Sequence, residues 1–206
     1  MLLVRHGATD WNRARLAQGQ ADIALNRMGR RQAREAAEAL AGYELDAVYA
    51  SDLQRAVATA QAIAGRQGLE VITDRDFREI DQGEWEGVHS DEIRRRWPEL
   101  WGPARHVSRR PGGESPEEVS RRALAGLRRV LQAHPTGTVA IVSHGGTIRW
   151  LVAAAKGYGV AGSQRLRGLA NGGVIAVRAE VTEDGIEFGG VERLDRASPD
   201  LDDPNQ

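Results

Sequence analysis

Apolar and polar positions alternate along the chain with two periods, one typical of strands and one of helices. Residues 2–4 are an apolar run that stops at Arg5-His6-Gly7, as a short buried strand ending in a polar loop would. From Asn26, suited to a cap, to Leu40, apolar positions recur at Ala33, Ala36, Ala37 and Leu40 on one face of a predicted helix. Residues 46–50 predict a second strand. Ser51-Asp52 then predicts a helix start, with Ala56, Ala60 and Ile63 facing inward and a stop at Gly65. A third strand falls at 70–73, and residues 74–89 read as an irregular loop. Ser115-Pro116-Glu117-Glu118 is the clearest helix signal: Ser115 caps, Pro116 takes the first helical position and Glu118 completes a capping box. Val119, Ala123, Leu127, Val130 and Leu131 form the stripe behind it. Residues 138–142 are a strongly apolar strand running into Ser143-His144-Gly145-Gly146 and another helix. Residues 174–181 and 186–191 form a terminal hairpin across Glu183-Asp184-Gly185. Strands alternating with helices predict an α/β layered fold.

Composition narrows this picture. The 206 residues are too few for two ordinary domains of about 150 each. Residues 1–196 are therefore expected to be one domain, with a disordered Asp- and Pro-bearing tail from Ala197. With 28 Lys+Arg against 29 Asp+Glu, the chain lacks the basic field of a nucleic-acid binder. Adjacent arginines at 94–96, 121–122 and 128–129 spread around helix circumferences, where they are expected to be solvated or paired. Absence of cysteine excludes disulfides, thiolate zinc sites and a cysteine nucleophile. No apolar run approaches the roughly 18 residues of a membrane span, so the expectation is a cytoplasmic protein with no membrane partner.

The candidate chemistry begins with two histidines in the same context. His6 and His144 each follow a predicted strand and each precede a glycine. If those strands are neighbours, both imidazoles enter one crevice at the strand ends. The glycines are expected to let a ligand approach the backbone, and the helix after Gly145 offers free N–H groups to an anion. His89, His106 and His134 lie in polar or loop stretches and read as surface residues. No metal-ligand spacing is present. Arg5 adjoins His6. Arg55 occupies a first helical turn where the helix dipole alone would favour a carboxylate. Two planar guanidinium forks match phosphoryl oxygens. The 77–87 loop carries Glu79, Asp81, Glu84 and Glu86, any of which could be a general acid.

Several blocks together resemble the histidine phosphatase, or phosphoglycerate mutase-like, superfamily. They are Val4-Arg5-His6-Gly7-Ala8-Thr9-Asp10-Trp11-Asn12, then Gln18-Gly19 with Asp22 and Leu25. Ser51-Asp52-Leu53-Gln54-Arg55-Ala56 follows, then Arg78-Glu79, Trp85-Glu86-Gly87, Gly112-Gly113-Glu114-Ser115 and Ser143-His144-Gly145-Gly146. The resemblance implies a three-layer sandwich: a mostly parallel sheet flanked by helices, closed by the C-terminal hairpin. It implies that His6 is the nucleophile, that Arg5, Arg55 and His144 surround the phosphoryl oxygens, and that Glu79 is the acid and then the base. Asn12, Gln18, Gly19 and Gly145 fall where the family binds phosphate and nearby substrate. Neither metal nor other cofactor is implied.

Family mutases carry a long insert between the acid and the second histidine; here that segment is short. The pattern is closest to the broad-specificity bacterial phosphatases, acting on a small phosphorylated metabolite. Two alternatives stand beside this: a 2,3-bisphosphoglycerate-dependent phosphoglycerate mutase, for which Arg109-Arg110 could grip a carboxylate, and a non-catalytic phosphometabolite-binding protein. The last usually lacks the nucleophile or the acid, and both are present. Residues 88–111, with a helix near 90–97, and residues 156–172 are expected to line the outer pocket. Trp97, Trp101, Tyr158, Arg165 and Arg167 are the candidates there. Edge strands of the terminal hairpin could pair two copies into a homodimer.

Overall fold

Side chains alternate across the strands and sort the apolar residues into two layers. In β1 (Leu2–Arg5), Leu2 and Val4 face one layer and Leu3 the other; in β2 (Ala47–Ala50), Val48 and Ala50 oppose Ala47 and Tyr49. The same alternation holds in β4 (Val139–Ser143) and β5 (Val174–Thr182), with the short β3 (Val71–Thr73) and the long β6 (Gly185–Arg193) at the edges. The order is β3-β2-β4-β1-β5-β6. The first four strands are parallel, and β5 and β6 are antiparallel. The computed structural model describes residues 1–194, so the expected tail from Ala197 and the domain end at 196 lie outside the described residues.

Helices cover both faces, giving the three layers. On one side α2 (Arg27–Ala39), followed by Leu40, and α3 (Gln54–Gln67) contribute Ala36, Ala37, Leu40, Ala56, Ala60 and Ile63. On the other side α5 (Pro116–Ala133) and α6 (Gly145–Ala155) contribute Ala123, Leu127, Val130, Ile148, Leu151 and Val152. Three shorter helices are α1 (Asp10–Arg13), α4 (Ser90–Arg96) and α7 (Gly159–Gly162). Among the described residues, no helix is long and apolar enough to cross a membrane.

Two expected boundaries are corrected. Helix α3 passes through Gly65 and ends at Gly68, whose φ of 67° is the left-handed value that lets the chain turn away. Its start is not capped by Ser51 or Asp52. The first amide, on Gln54, donates instead to the Asp22 carboxylate at 2.8 Å, a cap from 32 residues upstream. The 74–89 loop holds two short 3-10 turns, Arg75–Phe77 and Gly83–Trp85.

The α5 capping box is present as expected: the Glu118 amide donates to Ser115 Oγ, and the Ser115 amide to the Glu118 carboxylate. Replacing Ser115 with Ala should cost about 1 kcal/mol in urea denaturation, the usual loss of an N-cap. An unchanged midpoint would contradict the capping role.

Candidate active site

The β1–β4 register sets Arg5 opposite Ser143. The next residue on each strand is a histidine, so the parallel pairing delivers His6 and His144 side by side, ring centroids 5.0 Å apart. Both are buried, His6 only 3% exposed. His6 Nδ1 lies 2.7 Å from the Gly7 carbonyl oxygen. That oxygen can only accept, so Nδ1 carries the hydrogen and the lone pair sits on Nε2. His144 has the opposite arrangement. Its Nδ1 accepts from Arg55 Nε at 3.3 Å, so the neutral ring carries its hydrogen on Nε2, a buried atom with no protein partner. One imidazole thus offers a lone pair and its neighbour an N–H.

Two guanidiniums adjoin the pair. Arg55 is fully buried at 0% exposure and donates to the carbonyls of Gly19 and Ala21, both at 2.7 Å, as well as to His144. Arg5 donates from Nη1 to the Leu169 carbonyl at 2.5 Å, while its Nε is buried without a partner. Among the described residues neither has a carboxylate within ion-pair distance. Burial lowers the Arg55 pKa to about 10, against the pull of Glu79, Asp22 and Glu86, so it stays charged at neutral pH. Burial, then Arg55 and Arg5, hold His6 well below its ordinary value. Burial and Arg55, followed by His6, Arg122 and Arg5, do the same to His144. Both rings are therefore neutral at pH 7.

Of the four carboxylates in the 77–87 loop, Glu79 lines the cleft. Its Oε2 accepts the Gly146 amide and its Oε1 the Ile80 amide, both at 3.0 Å. Arg122 secures this loop. It donates to the carbonyls of Asp76, Arg78 and Glu79 while pairing with Glu114, whose Oε2 also accepts the Asp81 amide. Asp81 caps Gly83, and Glu86 accepts the Gln20 and Ala21 amides. Of the two expected states of the helix arginines, solvated or paired, Arg122 takes the paired one, and its further bonds to three carbonyls make it the clamp on the Glu79 loop.

The other expected residues divide. Asn12 and Gly145 line the cleft with Arg5 and Glu79. Asn12 accepts the Thr9 amide through Oδ1. Gln18 and Gly19 do not line it. Gln18 accepts from the Thr9 hydroxyl, and Gly19, at φ 51°, presents its carbonyl to Arg55. The glycines after the histidines also have a different reason from the one expected. A Cβ on Gly7 would strike the Gly29 carbonyl where α2 packs. One on Gly145 would press on Arg5 at 3.2 Å, and one on Gly146 would collide with Glu79. They admit protein groups close to the strand ends.

Above these groups opens a cleft of about 630 Å³ walled by Trp85, Trp101 and Trp150 and by arginines. Trp101 is placed there as expected. Trp97 lies tilted against Trp85 with centroids 6.0 Å apart, Arg165 lies over Tyr158, and neither Trp97, Tyr158, Arg165 nor Arg167 lines the cleft. Arg109 and Arg110 part company: Arg109 pairs outside with Glu118, whereas Arg110 lines the cleft. His106 is no surface residue but a cleft residue. Nothing in its local sequence signals this, nor the place of Asn171, whose amide donates to the His6 carbonyl.

The sequence profile of the histidine phosphatase superfamily (branch 1) matches residues 1–189, and the chain belongs to that superfamily. Among its relatives, Phosphoglycerate mutase-like protein 4 of Arabidopsis thaliana is 40% identical over 157 residues, 73% of this chain and 68% of that protein. The uncharacterized phosphatase PhoE of Bacillus subtilis (strain 168) is 39% identical over 150 residues, 73% of this chain and 74% of that protein. A mycobacterial glucosyl-3-phosphoglycerate phosphatase solved with VO3 superposes with a TM-score of 0.84 at 30% identity, covering 92% of this chain and 95% of that one. Phosphatases thus stand among its relatives by both sequence and structure.

His106 too is lowered, in its case to about 4, by burial and then by Arg105, Arg149 and Arg110. The unfolded chain protonates these three near their ordinary pKa while the folded chain does not. Stability should therefore be greatest above about pH 6.5 and fall as pH drops through it. Asp52 and Glu114, held below the carboxylate range chiefly by Arg78 and Arg122, add a loss only at lower pH. Thermal unfolding between pH 7.5 and 5.5 should show Tm falling as unfolding takes up to three protons. A flat Tm would contradict the neutral assignments.

Proposed function

We propose that the protein is a metal-independent phosphomonoesterase that hydrolyses small phosphorylated metabolites through a phosphohistidine on His6. The observation that carries this is the lone pair on His6 Nε2 beside the partnerless buried N–H groups of Arg5 Nε and His144 Nε2 and the Arg55 guanidinium, which donates only to neutral acceptors. A phosphoryl group between them meets a nucleophile and fixed positive charge, which favour in-line transfer. His6 Nε2 forms the P–N bond as the P–O bond to the leaving alkoxide breaks. Glu79 gives that oxygen its proton and, as a carboxylate, then takes one from water, whose oxygen attacks phosphorus and frees His6 with inorganic phosphate. Arg5 and Arg55 bear the charge that a metal would otherwise neutralise. Asn12 and the Gly145 amide add donors, while Gln18 and Gly19 hold Asn12 and Arg55 in place through Thr9 and the Gly19 carbonyl.

Hydrolysis rather than transfer is favoured by the shortness of the segment between Glu79 and His144 and by the open cleft, which admits water. The likeness to PhoE and to the glucosyl-3-phosphoglycerate phosphatase supports the same reading. Likeness to a mutase-like protein and the unpaired Arg110 keep mutase activity as the second reading.

Replacing His6 with Ala should abolish phosphate release and the acid-labile phosphoenzyme together. Glu79→Gln should slow alkyl phosphates by about 10²–10⁴-fold, and 4-nitrophenyl phosphate far less. Release should persist with chelator. Normal turnover by the His6 variant would refute the mechanism. Primer-dependent isomerisation of 3-phosphoglycerate with little phosphate release would make the protein a mutase.

A further inference from the structure

The strand end that carries His6 is held from two sides. On one, the His6 amide donates to the Ser143 carbonyl of β4 at 3.0 Å. On the other lie residues 169–173, which lead into β5. The Gly172 amide donates to the Arg5 carbonyl and the Arg5 amide to the Gly173 carbonyl, each at 3.0 Å, while the Leu169 carbonyl accepts from the Arg5 guanidinium. A turn closed by the Gly173 amide on the Ala170 carbonyl at 2.9 Å, with Gly172 at φ 77°, sets Asn171 at its corner beside His6.

The Asn171 side chain joins two parts of the site. Its Nδ2 donates to the His6 carbonyl at 3.0 Å and reaches Asn12 Oδ1 at 3.5 Å. Both partners are oxygens, and an amide NH2 carries one hydrogen for each. The first is a full hydrogen bond and the second a weak one. The second matters through what it fixes. Asn12 Oδ1 already accepts the Thr9 amide at 3.0 Å, so the oxygen of Asn12 faces two protein donors. Turning that amide over would set its NH2 against both. Among the described residues the Asn12 NH2 has no protein acceptor, and it is the group Asn12 can offer an anion in the cleft it lines.

Asn171 itself lines a groove between α1 and α2 and is not among the residues lining the cleft. It touches the backbone of the nucleophile and the side chain of a phosphate donor without facing the ligand. Such support has a large effect on rate, because a misplacement of about 1 Å can cost about 10²-fold.

We propose that Asn171 is a positioning residue for phosphoryl transfer: its amide ties the His6 backbone to the Asn12 side chain, so that nucleophile and donor keep one spacing. This deepens the phosphatase reading and rests on it for the reaction. The tie itself is read by binding.

Asn171→Ala and Asn171→Leu test it, each alone and combined with Asn12→Ala. Inorganic vanadate and inorganic phosphate are the calorimetric probes, and kcat/KM for 4-nitrophenyl phosphate follows the reaction. Vanadate can take the His6 nitrogen as a fifth ligand and so reads the spacing; phosphate binding without that bond reads the anion site alone. Both variants should weaken vanadate about 10-fold or more, the worth of one charge-assisted hydrogen bond, and lower kcat/KM by a similar factor. Phosphate should weaken distinctly less. In the Asn12→Ala protein the same substitutions should cost at least about threefold less, because residues in contact are not additive. Leu fills the space of the amide without its donors, so the two variants should agree; should one fail to fold, the other carries the comparison. Unchanged vanadate affinity, equal weakening of vanadate and phosphate, an undiminished loss in the Asn12→Ala protein, or recovery with Leu would each overturn the tie. Vanadate binding that depends on Asn171 in this way, without phosphate release from any phosphomonoester, would uphold the tie and refute the phosphatase reading.

Discussion

The arrangement depends on one register: Arg5 opposite Ser143 in parallel strands β1 and β4. It forces two imidazoles into contact at the end of the sheet, beneath helices whose packing excludes water. In that low-dielectric place a charge on either ring would be costly, and Arg55 and Arg5 raise the cost further. Both rings remain neutral, so hydrogen bonds alone decide which nitrogen holds each proton. The Gly7 carbonyl sets one ring and Arg55 sets the other, in opposite senses.

Much of the remaining polar structure keeps these groups in position. Thr59 accepts the Gly7 amide and donates to the Arg55 carbonyl, tying the β1 loop to α3. Arg78 pairs with Asp52 through two 2.6 Å contacts and donates to Gln20, joining the Glu79 loop to the start of the same helix. Arg122 and Glu114 fix the loop from the other face of the sheet. Arg78 and Arg122, which brace the loop, each have a carboxylate, whereas among the described residues Arg5 and Arg55 beside the histidines have none within ion-pair distance.

The strands, the two helical layers and the placement of His6, His144, Arg5, Arg55 and Glu79 together were legible in the sequence, because apolar periodicity and residue blocks are local signals. What escaped depends on contacts distant along the chain. The α3 cap comes from Asp22. The need for glycine at 7 comes from Gly29, and at 146 from Glu79. Arg109 and Arg110 are indistinguishable as a dipeptide, and the fold sends one to solvent and the other into the cleft. His106 looked like a surface residue for the same reason: nothing nearby in sequence records what packs against it.

The central claim is that His6 and His144 are both neutral and protonated on opposite nitrogens. The side-chain ¹⁵N spectrum of the histidines at pH 7, assigned with His6→Ala and His144→Ala, tests it directly. The account predicts a hydrogen on Nδ1 of His6 and on Nε2 of His144. A cationic ring at either position, or the same tautomer at both, would contradict it.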